Sequence, residues 1–320
     1  MKKALPFAII ALIIIIAGFF LPVILPPISV SAEHLFNIGP LNVTNALLTS
    51  WVVTIIIILF FFLASRNMQA RPSGLQNFVE FMVEGIYNIT ESVSGREWAP
   101  RFFAIPATIF IFVLIINWFG LFIAAPLTGL GLCEGGEHGE ESEHAALLLA
   151  STEGAQVAAE GEETVGTCAP GQHIVPFFRA PSADLNFTLA LAVITQLASW
   201  YFGFAALGAG GYLGKFFQFG ELTKAKSASG FALGLINFIV GLIEFLSEFV
   251  KIIAFTFRLF GNVFAGEVML YVITALVPLL VITPLIGFEI FVGFIQAFVF
   301  FILSVAFYTV SVQPHGGEHH

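Results

Sequence analysis

The chain is 320 residues long, 58% hydrophobic, 15% aromatic and only 10% charged, with a formal net charge of −9. Its mean hydropathy of +0.95 lies well outside the range of a soluble domain. So apolar and acidic a chain excludes a soluble globular protein and a nucleic-acid-binding surface, and makes lipid the solvent for most of the fold.

Six apolar stretches follow in chain order: residues 4–25, 47–64, 102–125, 185–207, 231 to about 271, and 276 to about 312. Each reaches, or nearly reaches, the roughly 20 residues that span a bilayer at 1.5 Å per residue. The last two exceed that length, which implies tilt. The expected fold class is an all-α polytopic membrane protein with five or six transmembrane helices. The count depends on residues 1–32, which read either as an extra transmembrane helix or as a secretory signal ending at Val30-Ser31-Ala32. Residues 33–320 form the main domain under both readings.

After the second stretch, Pro72-Ser73-Gly74 punctuates a basic loop. Leu75, Phe78, Val79, Met82, Val83, Ile86, Tyr87 and Ile89 then recur near helical spacing, with polar residues between them. The pattern predicts an amphipathic helix, lying in the membrane interface or packed on a partner's helix.

Cations set the orientation, because Lys and Arg beside short loops remain cytoplasmic. Lys2 and Lys3, then Arg66, Arg71, Arg96 and Arg101, then Lys215, Lys224 and Lys226 fall on alternate sides of successive stretches and so share one face. The intervening loop from 126 to 183 holds one cation, Arg179, and a crowd of glutamates. It is expected to be extracytoplasmic, with an acidic insertion at about 131–175, and the C-terminus is expected in the cytoplasm. The insertion also holds both cysteines. An oxidising face would let Cys133 and Cys168 close a loop of about 36 residues, stabilising it by ~3–4 kcal/mol. Metal binding by the cysteines with His138, His144 and His173 is the competing reading, although their spacing matches no recognised ligand set.

The fifth stretch carries Lys251 and Arg258 within apolar sequence. A guanidinium stays charged at any physiological pH, and at membrane depth it costs several kcal/mol unless paired or wetted. Taking 100° per residue, Glu244, Glu248, Lys251, Phe255, Arg258 and Asn262 share one broad face. Glu267 is turned to roughly the opposite side, about 13 Å further along the axis. The sixth stretch adds Glu289 and Gln296, seven apart and on one face, with Ser304 beyond. Desolvation penalises a carboxylate anion, so carboxyls this deep can hold and pass protons near neutral pH. Structural pairing of Glu267 or Glu289 with Arg258 is the competing reading, and Gln296 can equally serve as interhelical glue.

Phe257-Arg258-Leu259-Phe260-Gly261-Asn262-Val263-Phe264-Ala265-Gly266-Glu267, followed by Gln296-Ala297-Phe298-Val299-Phe300, resembles the signature of subunit a of F-type ATP synthase. Pro72-Ser73-Gly74-Leu75-Gln76-Asn77, Asn117-Trp118-Phe119-Gly120-Leu121 and Ser182-Ala183-Asp184-Leu185-Asn186 extend the resemblance over about 47–312, the acidic insertion excepted. It implies that the last two helices form a long tilted hairpin against a rotor ring of proteolipid c subunits, with Arg258, the functional centre, facing the ring's carboxylate. It further implies an outer proton half-channel through Glu267, Glu289, Asn262, Gln296, Asp184, Asn186 and Asn117. An inner one would use Glu244, Ser247, Glu248 and Lys251. Peripheral-stalk b subunits and the catalytic head would be further partners in a plasma or inner membrane. The chain itself would be non-catalytic, without cofactor or metal. Glu289 departs from relatives that have histidine there.

Three rival classes fit the sequence less well. A secondary ion transporter with an intramembrane charge relay would share lone buried charges, but this chain shows no repeated halves. A membrane hydrolase would need a metal or nucleophile motif; neither His-Glu-x-x-His nor Gly-x-Ser-x-Gly is present, and there is no Walker-type loop. A voltage sensor would show several regularly spaced arginines. The His-containing tail at 314–320 reads as a disordered cytoplasmic end or a metal site.

Overall fold

A computed structural model describes residues 32–66, 68–69, 71, 74–124, 131–134, 147–148, 173–216, 228–276 and 282–313. The expected first span, the Cys133–Cys168 pairing, most of the acidic insertion, Lys224, Lys226 and the His-containing tail lie outside the described residues.

The chain is all-α in architecture. Strands β1 (His34–Ile38) and β2 (Leu41–Thr44) form a hairpin leading into α1 (Asn45–Ser65). Next come α2 (Leu75–Phe102) and α3 (Ala104–Phe119), the latter extended by a π turn at Gly120–Ala124. Three short strands, β3 (Gly131–Glu134), β4 (Leu147–Leu148) and β5 (His173–Pro176), pair antiparallel in the order β4-β3-β5. A 3-10 turn at Pro181–Ala183 precedes α4 (Leu185–Phe216), and α5 (Ala228–Leu276) and α6 (Ile282–Val312) complete the chain. Among the described residues, Asn45–Ser65, Ala104–Ala124, Leu185–Phe216 and Pro284–Val312 are long and apolar enough to cross a membrane. Helix α5 has 49 residues, about 70 Å at 1.5 Å per residue. That exceeds a bilayer of ~40–45 Å including headgroups, so a helix of this length lies steeply tilted or projects beyond the lipid.

Local chemistry explains the helix ends. Thr44 Oγ1 accepts from Leu47 N (3.3 Å), an N-cap. Asn45 Oδ1 accepts from Glu33 N (3.2 Å) and Ala46 N (2.9 Å), tying the hairpin to α1. The predicted amphipathic helix is α2. It leaves Leu75, Phe78 and Phe81 exposed, buries Ile86, Thr90 and Ser94 at four-residue spacing, and breaks at Gly95 (φ 77°). The fourth helix continues nine residues past the expected end at 207, but only across a break at Gly208 (φ 70°, ψ 165°). That backbone region is essentially restricted to glycine. The break turns the chain, so the Tyr212 ring lies against Gly203 and 4.6 Å from the Phe204 ring.

The chain divides into two compact units. The first comprises Met1–Leu59, Phe112–Leu185 and Phe260–Gln296; the second comprises Phe60–Ile111, Asn186–Leu259 and Ala297–His320. In the second, Phe102, Phe202 and Tyr308 form a ring cluster with centroids 4.9 to 5.7 Å apart, closed by Ala198 and Val312. Such aromatic pairs contribute about 0.5–1.5 kcal/mol each beyond area burial. Within each unit α5 and α6 pack antiparallel. In the first, Asn262 meets Gln296 and Gly266 meets Glu289; in the second, Phe255 meets Phe300 and Lys251 meets Phe307.

Candidate functional site

Polar side chains inside an apolar bundle cluster separately in the two units. In the first unit, Asn117 on α3 donates through Nδ2 to the Gly293 carbonyl (3.3 Å), and its Oδ1 accepts from the Ser182 hydroxyl (2.7 Å). Asn262 Nδ2 donates to Gln296 Oε1 at 2.6 Å, joining α5 to α6. The Tyr271 hydroxyl donates to Glu267 Oε1 at 3.3 Å, one turn along α5. The Glu289 carboxyl lies directly on the bare backbone of Gly266, in space that any side chain at 266 would fill.

Two atoms of this cluster, Glu267 Oε2 and Gln296 Nε2, are buried without a hydrogen-bond partner among the described residues. Buried polar atoms are normally satisfied, and the exceptions mark bound water or functional chemistry. Asp184 is buried where the 3-10 turn meets α4, with Ser182 also buried beside it in sequence. Asn186 is exposed in the first turn of α4 and belongs to the second unit.

In the second unit, Arg258 is exposed on α5 and lines an open pocket of about 240 Å³ with Ser247, Val250, Lys251, Ala254, Phe255, Leu303 and Phe307. Arg258 makes no hydrogen bond or ion pair with any described residue, whereas Lys251 pairs with Glu248 at 2.5 Å. The Ser247 hydroxyl is turned back onto the Glu244 carbonyl (2.7 Å).

The broad polar face expected on α5 is therefore divided. Lys251, Arg258 and Ser247 border the pocket, while Glu248 is buried and half-buried Glu244 does not border it. The division arises because Glu248 finds donors on α4: Gln196 Nε2 at 2.5 Å and Trp200 Nε1 at 3.1 Å. The sequence reading had not singled out these two, nor Ser182 and Tyr271, as site residues. Gln196 and Trp200 had one usable signal: two hydrogen-bonding side chains four apart within an otherwise apolar span. Among the described residues no three His, Cys, Asp or Glu side chains are placed to hold a metal ion.

Lipid-length helices carrying polar clusters on their facing sides define a multi-pass, all-α membrane protein. A family model described as ATP synthase A chain matches residues 47–309. The chain belongs to that family, that of the proton-translocating subunit of the ATP synthase membrane sector, whose catalytic activity resides in other subunits.

Proposed function

We propose that the chain is the stator of a rotary motor. Its two polar clusters would be separate proton half-paths, and Arg258 the fixed cation between them. An acidic group on a rotor ring of c subunits would lose its proton on approaching the guanidinium, because a nearby cation favours the anion. It would pass Arg258 and be reprotonated from the other path. Each charge moved through 100 mV carries about 2.3 kcal/mol, enough to bias thermal rotation in one direction.

One observation carries the reading: Arg258 stands exposed on a pocket wall with no described counter-charge, in a helix that is otherwise largely apolar. A permanent cation so placed is suited to an acidic partner that passes along the pocket. In this reading Asn117, Asp184, Asn186, Asn262, Glu267, Glu289 and Gln296 form the outer path, and the orphaned atoms of Glu267 and Gln296 support a hydrated route there. Glu244 and Ser247 border the inner path, with Glu248 and Lys251 beside them. We place the acidic insertion outside the cell, the C-terminus inside, and b subunits of a peripheral stalk on the cytoplasmic face.

The test is ATP-driven acidification of inverted membrane vesicles carrying the assembled complex. Arg258→Ala abolishes pumping. Arg258→Lys fails as well, since an ammonium is more strongly hydrated and deprotonates when buried. Normal pumping by either variant overturns the proposal.

A further inference from the structure

The Glu248 carboxylate is engaged on both oxygens. Gln196 and Trp200 both donate to Oε2, at 2.5 and 3.1 Å, and the Lys251 ammonium donates to Oε1 at 2.5 Å. Gln196 and Trp200 sit one turn apart on α4, and Glu248 and Lys251 one turn apart on α5, so four side chains close a clasp between the two helices. Glu248 is 9% exposed. With two donors on Oε2 and the ammonium on Oε1, three of its roughly four acceptor positions are taken. The clasp also fixes Lys251, whose ammonium lies 4.9 Å from the Phe307 ring centroid and borders the Arg258 pocket.

Lys251 and Arg258 are seven residues apart on one helix, roughly 10 Å of rise, and face the same pocket. An acidic group moving along that wall meets two cations. If both attracted it equally, the first would hold it and the second would not be reached. Glu248 prevents this by setting a carboxylate against Lys251. The formal charges of Glu248 and Lys251 cancel in their ion pair, leaving Arg258 uncompensated among the described residues.

We propose that Glu248, held by Gln196 and Trp200, is a positioning residue that neutralises Lys251 so that the moving acid meets one electrostatic trap instead of two. This rests on the reading of Arg258 given above. The ion pair still presents the positive end of a dipole to the pocket, which guides an anion without retaining it.

The experiment compares Glu248→Gln, Lys251→Gln and the double variant in the assembled complex, measuring ATP-driven acidification per ATP hydrolysed and the amount of subunit incorporated. Glu248→Gln keeps the shape and hydrogen bonds to α4 but frees the ammonium, and pumping per incorporated subunit falls about tenfold because a second cation now holds the moving acid in its anionic form. Adding Lys251→Gln removes the stray charge and raises pumping again about fivefold, a coupling that only paired residues show. A purely structural clasp shows its loss in the amount of subunit incorporated, with pumping per incorporated subunit unchanged in all three variants.

Wild-type pumping by Glu248→Gln, or a double variant no better than Glu248→Gln, overturns the proposal. Should Glu248→Gln fail to assemble, a double variant that pumps less than Lys251→Gln overturns it equally. Arg258→Ala in the same vesicles separates the two levels. If it pumps normally, the reading of Arg258 fails; if it is inactive while the clasp variants are neutral, only the clasp fails.

Discussion

Gly266 and Gly287 probe how tightly the Glu289 carboxyl is held. A methyl group at 266 overlaps that carboxyl, whereas one at 287, two residues before Glu289, meets nothing within 4 Å. Over-packing of this kind costs about 1–3 kcal/mol, partly offset by the ~0.5–1 kcal/mol that alanine gains over glycine in a helix. The obstacle is the free end of a flexible side chain, so Gly266→Ala moves the carboxyl without disrupting α5. Its expected outcome is normal incorporation with ATP-driven acidification reduced several-fold, set against wild-type rates in Gly287→Ala. Equal rates in the two variants remove the contact with Gly266 from the positioning of Glu289. Asn117 stands in a comparable position, since its amide joins α3 to the Gly293 carbonyl on α6 and to Ser182.

Helix α4 depends on its break. With φ 70° and ψ 165°, Gly208 sits where a side chain costs about 1–3 kcal/mol, although a methyl group there would touch nothing within 4 Å. The penalty is therefore purely conformational. It falls on the turn that brings Tyr212 against Gly203 and sends Lys215 Nζ to the Val310 carbonyl at 3.0 Å. Gly208→Ala should lower the temperature at which vesicles lose ATP-driven pumping. Gly214→Ala, open to the same depth and without a positive φ, should leave that temperature unchanged or slightly raised. A matching response in both variants shows that the turn does not need glycine.

The break was illegible in the sequence, because Gly208, Gly210 and Gly211 follow an apolar run in which glycine is ordinary for a membrane helix. The cores of α1, α3 and α6 were legible from hydropathy alone, their ends differing by a few residues where caps and turns decide. Asn262 and Gln296 each stand out as polar residues in apolar stretches, but their hydrogen bond to one another is seen only in the structure. The partners of Glu248 did not. Helical periodicity places a residue on a face but says nothing about which neighbouring helix holds donors.

Orientation belongs to the whole molecule, and the fold narrows the charges that decide it. Arg179, the one cation of the acidic side, is 7% exposed, and Lys215 is 9% exposed and bonded to a backbone carbonyl. Neither acts as a solvated loop charge. Among the described residues the asymmetry therefore rests on Arg66, Arg71, Arg96 and Arg101, all exposed around α2, with Lys2, Lys3, Lys224 and Lys226 adding to it in the sequence. Arg96 pairs with Glu91 at 2.8 Å, but carboxylates contribute little to the positive-inside bias, so the pair still counts as a cation. Under the proposed orientation these four would put α2 on the cytoplasmic face and the segment between α3 and α4 outside. A membrane-impermeant maleimide reads this directly. Glu97→Cys, in a chain with both native cysteines replaced by serine, is labelled in intact inverted vesicles. The native Cys133 and Cys168 are labelled only after the vesicles are permeabilised, and, if they are paired, only after reduction as well. Labelling of the native cysteines in intact inverted vesicles reverses the orientation, and with it exchanges which polar cluster takes up protons and which releases them. The chemistry proposed for Arg258 survives that reversal, because a fixed cation between two paths has no intrinsic direction; the sense of proton flow comes only from which side each path opens to.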